Sequence, residues 1–145
     1  MTKMIIPFAD TSSKIPLVEF KIDDKWYVAL LDTGSESTLF DYRIPESEDF
    51  EKKETDYTMS LVGLSGETDR GRITEVRTTF EINDVDDNVS YVTITGILSD
   101  LSNVSQGINE RYGKHLNVAA VFGSDMLKGL GAKIDYRKQQ LTIKR

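Results

Sequence analysis

The chain has 145 residues, 39% of them apolar and 29% charged, with a formal net charge of −6. That length fits one domain, residues 1–145, with a modest core, and the acidic balance argues against a nucleic-acid partner, since phosphate contacts need a basic surface. The absence of cysteine excludes disulfides, thiolate chemistry and cysteine metal sites, and no apolar run approaches the ~20 residues that span a membrane. From the N-terminus, the first apolar stretch is shorter than the ~7–15-residue core of a signal peptide. A cytoplasmic location is the default expectation.

Met4 to Phe8 reads as a short strand that Pro7 confines to an edge. Ile15 to Ile22 alternates apolar and polar residues, the pattern of a half-buried strand. Asp23-Asp24 turns the chain, and Lys25 to Leu31 returns as a second strand. Asp41 to Asp56 lacks any period, and the charge run Glu46 to Glu54 predicts a solvated loop. Tyr57 to Leu64 and Gly71 to Phe80 predict a β-hairpin around the glycine-containing tip Gly63-Leu64-Ser65-Gly66. Glu81 to Asn88 is an acidic turn and Val89 to Leu98 the next strand. Asp100 to Lys114 places Leu101, Val104, Ile108 and Tyr112 near helical spacing, which Gly107 weakens. Asn117 to Phe122 is a short apolar strand stopped by Gly123. Ser124 or Asp125 can cap a helix to about Lys128, with Gly129 and Gly131 beyond it. Ala132 to Tyr136 and Gln140 to Lys144 close the chain as a hairpin.

The end of the Lys25–Leu31 strand opens the stretch Ala29-Leu30-Leu31-Asp32-Thr33-Gly34-Ser35-Glu36-Ser37-Thr38-Leu39-Phe40. An apolar run delivers one carboxylate into a Thr-Gly-Ser turn, a costly placement unless hydrogen bonds or a charge-sharing partner satisfy it. Gly34 permits the tight turn and the approach of backbone N–H groups, and Thr33 and Ser35 supply short hydroxyls. The stretch resembles the active-site turn of the aspartic peptidases at every position. A second stretch, Val121-Phe122-Gly123-Ser124-Asp125-Met126-Leu127 followed by Ala132 to Tyr136, is similar to the second half of the retropepsin-like pattern. Together the two place the likeness over residues 15–144.

The chain contains one such turn, and this chemistry needs two facing carboxylates. The closest resemblance is therefore to the retroviral-type branch, whose members are homodimers. It implies a mostly β fold, a small closed acid-protease-type β-barrel with one short C-terminal helix. It also implies an aspartic endopeptidase acting on protein or peptide substrates without cofactor or metal, with Asp32, Thr33 and Gly34 as catalytic residues. Two Asp32 carboxylates would share a proton and activate a water. Thr33 would grip the partner's loop, and Ser35 would line the substrate site and donate to a carboxylate oxygen. The hairpin would be a flap, with Gly63, Leu64, Ser65 and Gly66 touching substrate, and Leu141 to Arg145 would be a candidate for an intersubunit sheet. Phe122 and Gly123 would support the turn from behind.

Other patterns have plainer accounts. Asp125 lacks a Thr-Gly turn and reads as a helix cap or ion-pair partner rather than a second catalytic carboxylate. Asp84 to Asn88 departs from a calcium loop at Val89 and Thr95 and reads as an acidic hairpin turn. His115, the one histidine, is expected to be exposed and makes no zinc site. Asn88 and Asn103 match glycosylation acceptors, which matter only on secretion. Two alternatives stay open: a non-catalytic dimerisation or peptide-binding module on the same fold, and an inactive monomer.

Overall fold

The computed structural model describes residues 3–12, 14–62 and 68–144. In chain order the strands are β1 (Lys3–Pro7), β2 (Leu17–Ile22), β3 (Lys25–Leu31), β4 (Leu39–Asp41), β5 (Phe50–Val62), β6 (Thr68–Asn83) and β7 (Val89–Ser99). Helix α1 (Ser102–Tyr112), β8 (Val118–Phe122), helix α2 (Ser124–Gly129), β9 (Lys133–Asp135) and β10 (Gln140–Lys144) follow.

Seven strands form one sheet in the order β2-β3-β8-β4-β7-β6-β5, and a further β2–β6 pairing through Lys21 and Glu81 closes it on itself short of β5. Strands β2, β3, β8, β4, β7 and β6 thus make a closed six-stranded barrel, which leaves no open edge in that ring. Strand β5 lies outside it as the outer arm of the long β5–β6 hairpin, paired from Phe50–Thr78 to Val62–Thr68. The flap residues Gly63, Leu64, Ser65 and Gly66 lie outside the described residues.

Alternation along the strands sorts side chains to the two faces of the sheet. In β2, Val18, Phe20 and Ile22 point into the barrel, and in β3 Tyr27, Ala29 and Leu31 do the same. The interior is filled by phenylalanines. Phe20 contacts Phe40, Phe80 and Phe122 with ring centroids 6.3, 5.4 and 5.4 Å away, and Phe40 meets Phe50 edge-on at 5.7 Å. Each fully buried ring contributes roughly 1.5–3 kcal/mol relative to an exposed one. The helical spacing at residues 100–114 is realised as α1, so the described residues hold two helices where one is expected.

Two expectations are corrected. The solvated loop at residues 41–56 ends at Ser47, where the chain bridges to Phe50 and enters β5. Phe50 is fully buried, while Glu51, Lys53 and Glu54 stay exposed. Pairing with β6, rather than a period of its own, makes this segment a strand. The second correction concerns the C-terminus. Strand β10, which includes Leu141 to Lys144, is the middle strand of a sheet ordered β1-β10-β9, with both edges paired inside the chain. It has no edge left to offer a partner. Among the described residues, β9 forms one outer edge of that sheet. Strand β1 lies at the other edge of that sheet, as Pro7 requires.

Candidate active site

Strand β3 runs straight into the Asp32 turn, because the ladder with β8 continues one step past its end. Leu31 pairs with Phe122 in parallel, and the Asp32 N–H donates to the Phe122 carbonyl at 3.1 Å. After the turn the chain comes back as β4 on the opposite side of β8, antiparallel to it. The turn is therefore a loop slung over the end of β8, with Phe122 and Gly123 directly beneath it. Their expected supporting position is what the structure shows.

Gly123 is required by close approach. A Cβ on it would lie 2.5 Å from the Ser37 carbonyl oxygen and 2.7 Å from that of Ser35, distances that only a missing side chain permits. Its N–H donates to Thr38 Oγ1 at 3.1 Å, and the Ser124 N–H donates to the Ser35 carbonyl at 2.7 Å. Thr38 is wholly buried. Its hydroxyl donates to Asp125 Oδ1 at 2.8 Å while its N–H donates to Asp125 Oδ2 at 3.2 Å. From the other side, the Ile97 N–H of β7 donates to the Thr38 carbonyl at 2.9 Å. The turn is thus fixed from three directions, by β8, α2 and β7.

Asp125 is neither the cap nor the ion-pair partner read from the sequence. The residue at the N-cap position is Gly123, with no side-chain cap bond, and no ion pair to Asp125 occurs among the described residues. Its carboxylate instead ties the start of α2 to the far end of the Asp32 turn. In the sequence Thr38 stands within the Ala29 to Phe40 stretch with no role of its own. The signal for its role is a hydroxyl where an apolar strand residue would fit as well.

Within the turn, Gly34 donates its N–H to Asp32 Oδ1 at 2.9 Å, as its place in the turn suggests. Ser35 behaves otherwise than expected. Its hydroxyl donates to the Ser37 carbonyl at 2.7 Å, closing the loop on itself, so it gives nothing to the carboxylate. Asp32 is half-buried, and Thr33 and Gly34 are exposed. Thr33 lines two neighbouring concavities. One, about 490 Å³, runs past Gly34 and Glu36 to Ser124 and Lys128, and the other, about 290 Å³, is bounded by Leu127, Ala132, Ile134 and Tyr136.

Elsewhere, Asp84 accepts hydrogen bonds within its own turn, as an acidic hairpin turn should, and His115 is exposed. No group of three or more His, Asp or Glu side chains among the described residues is placed to hold a metal ion. No helix among them is long and apolar enough to cross a membrane. An ion pair at the start of the charged stretch joins an exposed cation to a buried carboxylate: Arg43 forks onto Asp41, whose side chain is 2% exposed. The Asp41 hydrogen bond holds the guanidinium above its ordinary range, against the opposing effect of burial.

The structure thus places a carboxylate at the end of a barrel strand, in a turn slung over a parallel neighbour. The family model described as retroviral aspartyl protease matches residues 12–135, and the chain belongs to that family. No curated protein matches the chain. Membership makes it an aspartic protease, a hydrolase, by class.

Proposed function

We propose that the chain is an endopeptidase whose working form is a homodimer, with Asp32 of each copy supplying half of the catalytic pair. The observation that carries this reading is the state of Asp32. Among the described residues its carboxylate takes one hydrogen bond, from Gly34, in a turn whose Thr33-Gly34 face is exposed. Two such carboxylates brought together cannot both ionise cheaply, and they share a proton. The ionised member takes a proton from a water as the water oxygen bonds to the peptide carbonyl carbon. The protonated member gives its proton to the carbonyl oxygen. Collapse of the resulting diol breaks the C–N bond, and the amine leaves with a proton returned by the pair. Thr33 and Gly34 position the pair, and Ser35 acts by closing the loop beneath it. The β5–β6 hairpin covers the extended substrate, which adds main-chain hydrogen bonds to it.

The surface around Thr33 supports a second copy as the partner. β9, an edge strand among the described residues, carries Ile134, which with the exposed Tyr136 lines the same concavity as Thr33. A two-fold axis through this region brings identical surfaces together, as an isologous dimer requires. This β9 face replaces the C-terminal strand as the candidate for the intersubunit sheet.

The test is digestion of a diverse peptide library from pH 3 to 8 by wild type and Asp32→Asn, with sedimentation of both. Cleavage by wild type alone, from a dimer, is expected. Cleavage by both would remove Asp32 from the mechanism. A dimer that binds peptides but cuts none would make the chain a non-catalytic module.

A further inference from the structure

Charge is unevenly distributed along this acidic chain. From Lys128 onward six basic residues, Lys128, Lys133, Arg137, Lys138, Lys144 and Arg145, stand against one acid, Asp135. The excess of carboxylates therefore lies in the residues before Lys128. The fold sets several of the late cations on or beside the β1-β10-β9 sheet.

Side chains alternate along a strand, and residues directly opposite across a ladder share a face. Met4, Ile6, Leu141 and Ile143 are buried in the core. The outer face therefore carries Lys3 and Ile5 of β1, Thr142 and Lys144 of β10, and Lys133 of β9. Lys3 stands directly opposite Lys144, and Lys133 opposite Thr142, two residues along β10 from Lys144. All three lysines are exposed, and none has an ion-pair partner among the described residues. Lys128, exposed in the last turn of α2, is two residues from Leu130, whose carbonyl accepts the Lys144 N–H at 2.9 Å. Like charges directly opposite across a ladder cost the fold stability, and here no described acidic group pairs with either lysine.

Acidic groups border this face instead. Asp135 occupies its far end, opposite Gln140, and accepts the Lys138 N–H at 2.9 Å. At the edge of β1 the Val85 N–H donates to the Ile5 carbonyl at 2.9 Å, with Asp86 and Asp87 following in the same turn. The cationic ground is the corner formed by Lys3, Lys144, Lys133 and Lys128.

We propose that this corner is a docking face for an anionic lipid surface. Charge complementarity gives the sign of the partner, and placement gives its class. Three of the lysines project from one face of a sheet, which suits a plane of headgroups. A plane can touch the corner alone, whereas a nucleic-acid strand running past it meets Asp135 on one side and Asp86 and Asp87 on the other. At physiological salt, exposed charges more than about 8 Å away are largely screened, so the local sign decides, not the net charge. Each lysine held near an anionic leaflet adds to the attraction.

The experiment sediments the protein with vesicles of phosphatidylcholine alone or mixed with phosphatidylserine. Wild type should bind the anionic vesicles about ten-fold more tightly or better, and added salt should reverse this. The triple variant Lys3→Glu, Lys133→Glu, Lys144→Glu should lose the difference. Lys25→Glu, Lys53→Glu, Arg77→Glu makes the same change of net charge on the barrel strands and should keep most of it. Lys144→Glu alone checks folding: it sets a carboxylate opposite Lys3, so the melting temperature should not fall, while binding to anionic vesicles should weaken about five-fold. Equal binding to both kinds of vesicle, or equal loss in the two triple variants, would overturn the docking face. Binding to a polyglutamate peptide or a DNA duplex, with none to vesicles, would overturn the lipid as its occupant. None of these readouts involves cleavage, so loss of the peptidase reading would leave the docking face untouched.

Discussion

Two aspartate turns in this protein start from similar local chemistry and end in opposite states. Asp84, after β6, spends its carboxylate at home. Oδ1 accepts from the N–H groups of Asp86 at 2.9 Å and Asn88 at 2.8 Å, and Oδ2 accepts from Asn88 Nδ2 at 3.0 Å. Asp32, after β3, also receives a backbone N–H two residues on, but only that one, and its second oxygen has no partner among the described residues. Where the donors of its own turn take up the Asp84 carboxylate, the Asp32 turn is held mainly by groups other than its carboxylate: the Ser35 hydroxyl, Gly123, Thr38 and Asp125. Rigid surroundings around an unspent carboxylate are what a reactive group needs. A saturated carboxylate is structural.

The comparison breaks most sharply at the carboxylates themselves. Asp32→Asn should lower peptide cleavage by about 10³-fold or more, as loss of an acid–base pair does, with little change in the melting temperature. Asp84→Ala should do the reverse, lowering the melting temperature and leaving cleavage near wild type. Both are read by kcat/KM and thermal unfolding of the same preparations. Next in size is the floor of the turn. Gly123→Ala drives a Cβ into two carbonyl oxygens and should destabilise by about 1–3 kcal/mol or more, with cleavage lost alongside. Chemical denaturation and the cleavage assay would show both effects; a stable, active variant would mean the turn can lift off β8. Smaller still is Thr38→Val. It keeps the shape but removes a buried hydroxyl that both donates and accepts, at about 1–3 kcal/mol. Denaturant midpoints would measure it, and Thr38→Ser should restore most of the loss.

The Asp32 turn was legible because its information is contiguous: an apolar strand, the carboxylate and a glycine turn occupy neighbouring positions. Strand β8 was legible for a similar reason, as five apolar residues stopped by glycine. The network that fixes the turn was not, since Thr38 and Asp125 stand 87 positions apart and neither has a local pattern that announces the other. Ser35 misled because a hydroxyl beside a carboxylate has two acceptors in reach, and the Ser37 carbonyl is the nearer by chain geometry. Strand β5 hid because Phe50 alone among its first residues turns inward, so a half-exposed outer strand has the composition of a loop. In α1 the spacing of Val104, Ile108 and Tyr112 gave the helix, but not that their face would line a groove instead of a sealed core.

The smallest effect sharpens the same comparison through pH. The Asn88 side chain, with the Asn88 and Asp86 N–H groups, holds the Asp84 carboxyl below its ordinary value of 3.8, against a smaller opposing effect of burial. A carboxyl whose folded value lies below its unfolded one stabilises the fold above the unfolded value, and the contribution fades as pH falls through the folded value. Stability carried by Asp84 should therefore be complete at neutral pH, begin to fade near its ordinary value of 3.8, and be lost as pH falls through the lower folded value. Asp84→Asn should flatten that part of the acid limb of the stability curve, because an amide has no such proton to take up. Asn88→Ala should flatten it partially, since the two backbone donors remain. Unfolding midpoints of the three proteins between pH 2 and 6 would show the order. If all three limbs superimposed, the Asp84 turn would be no better satisfied than the Asp32 turn, and the contrast between a spent and an unspent carboxylate would not explain which one is reactive.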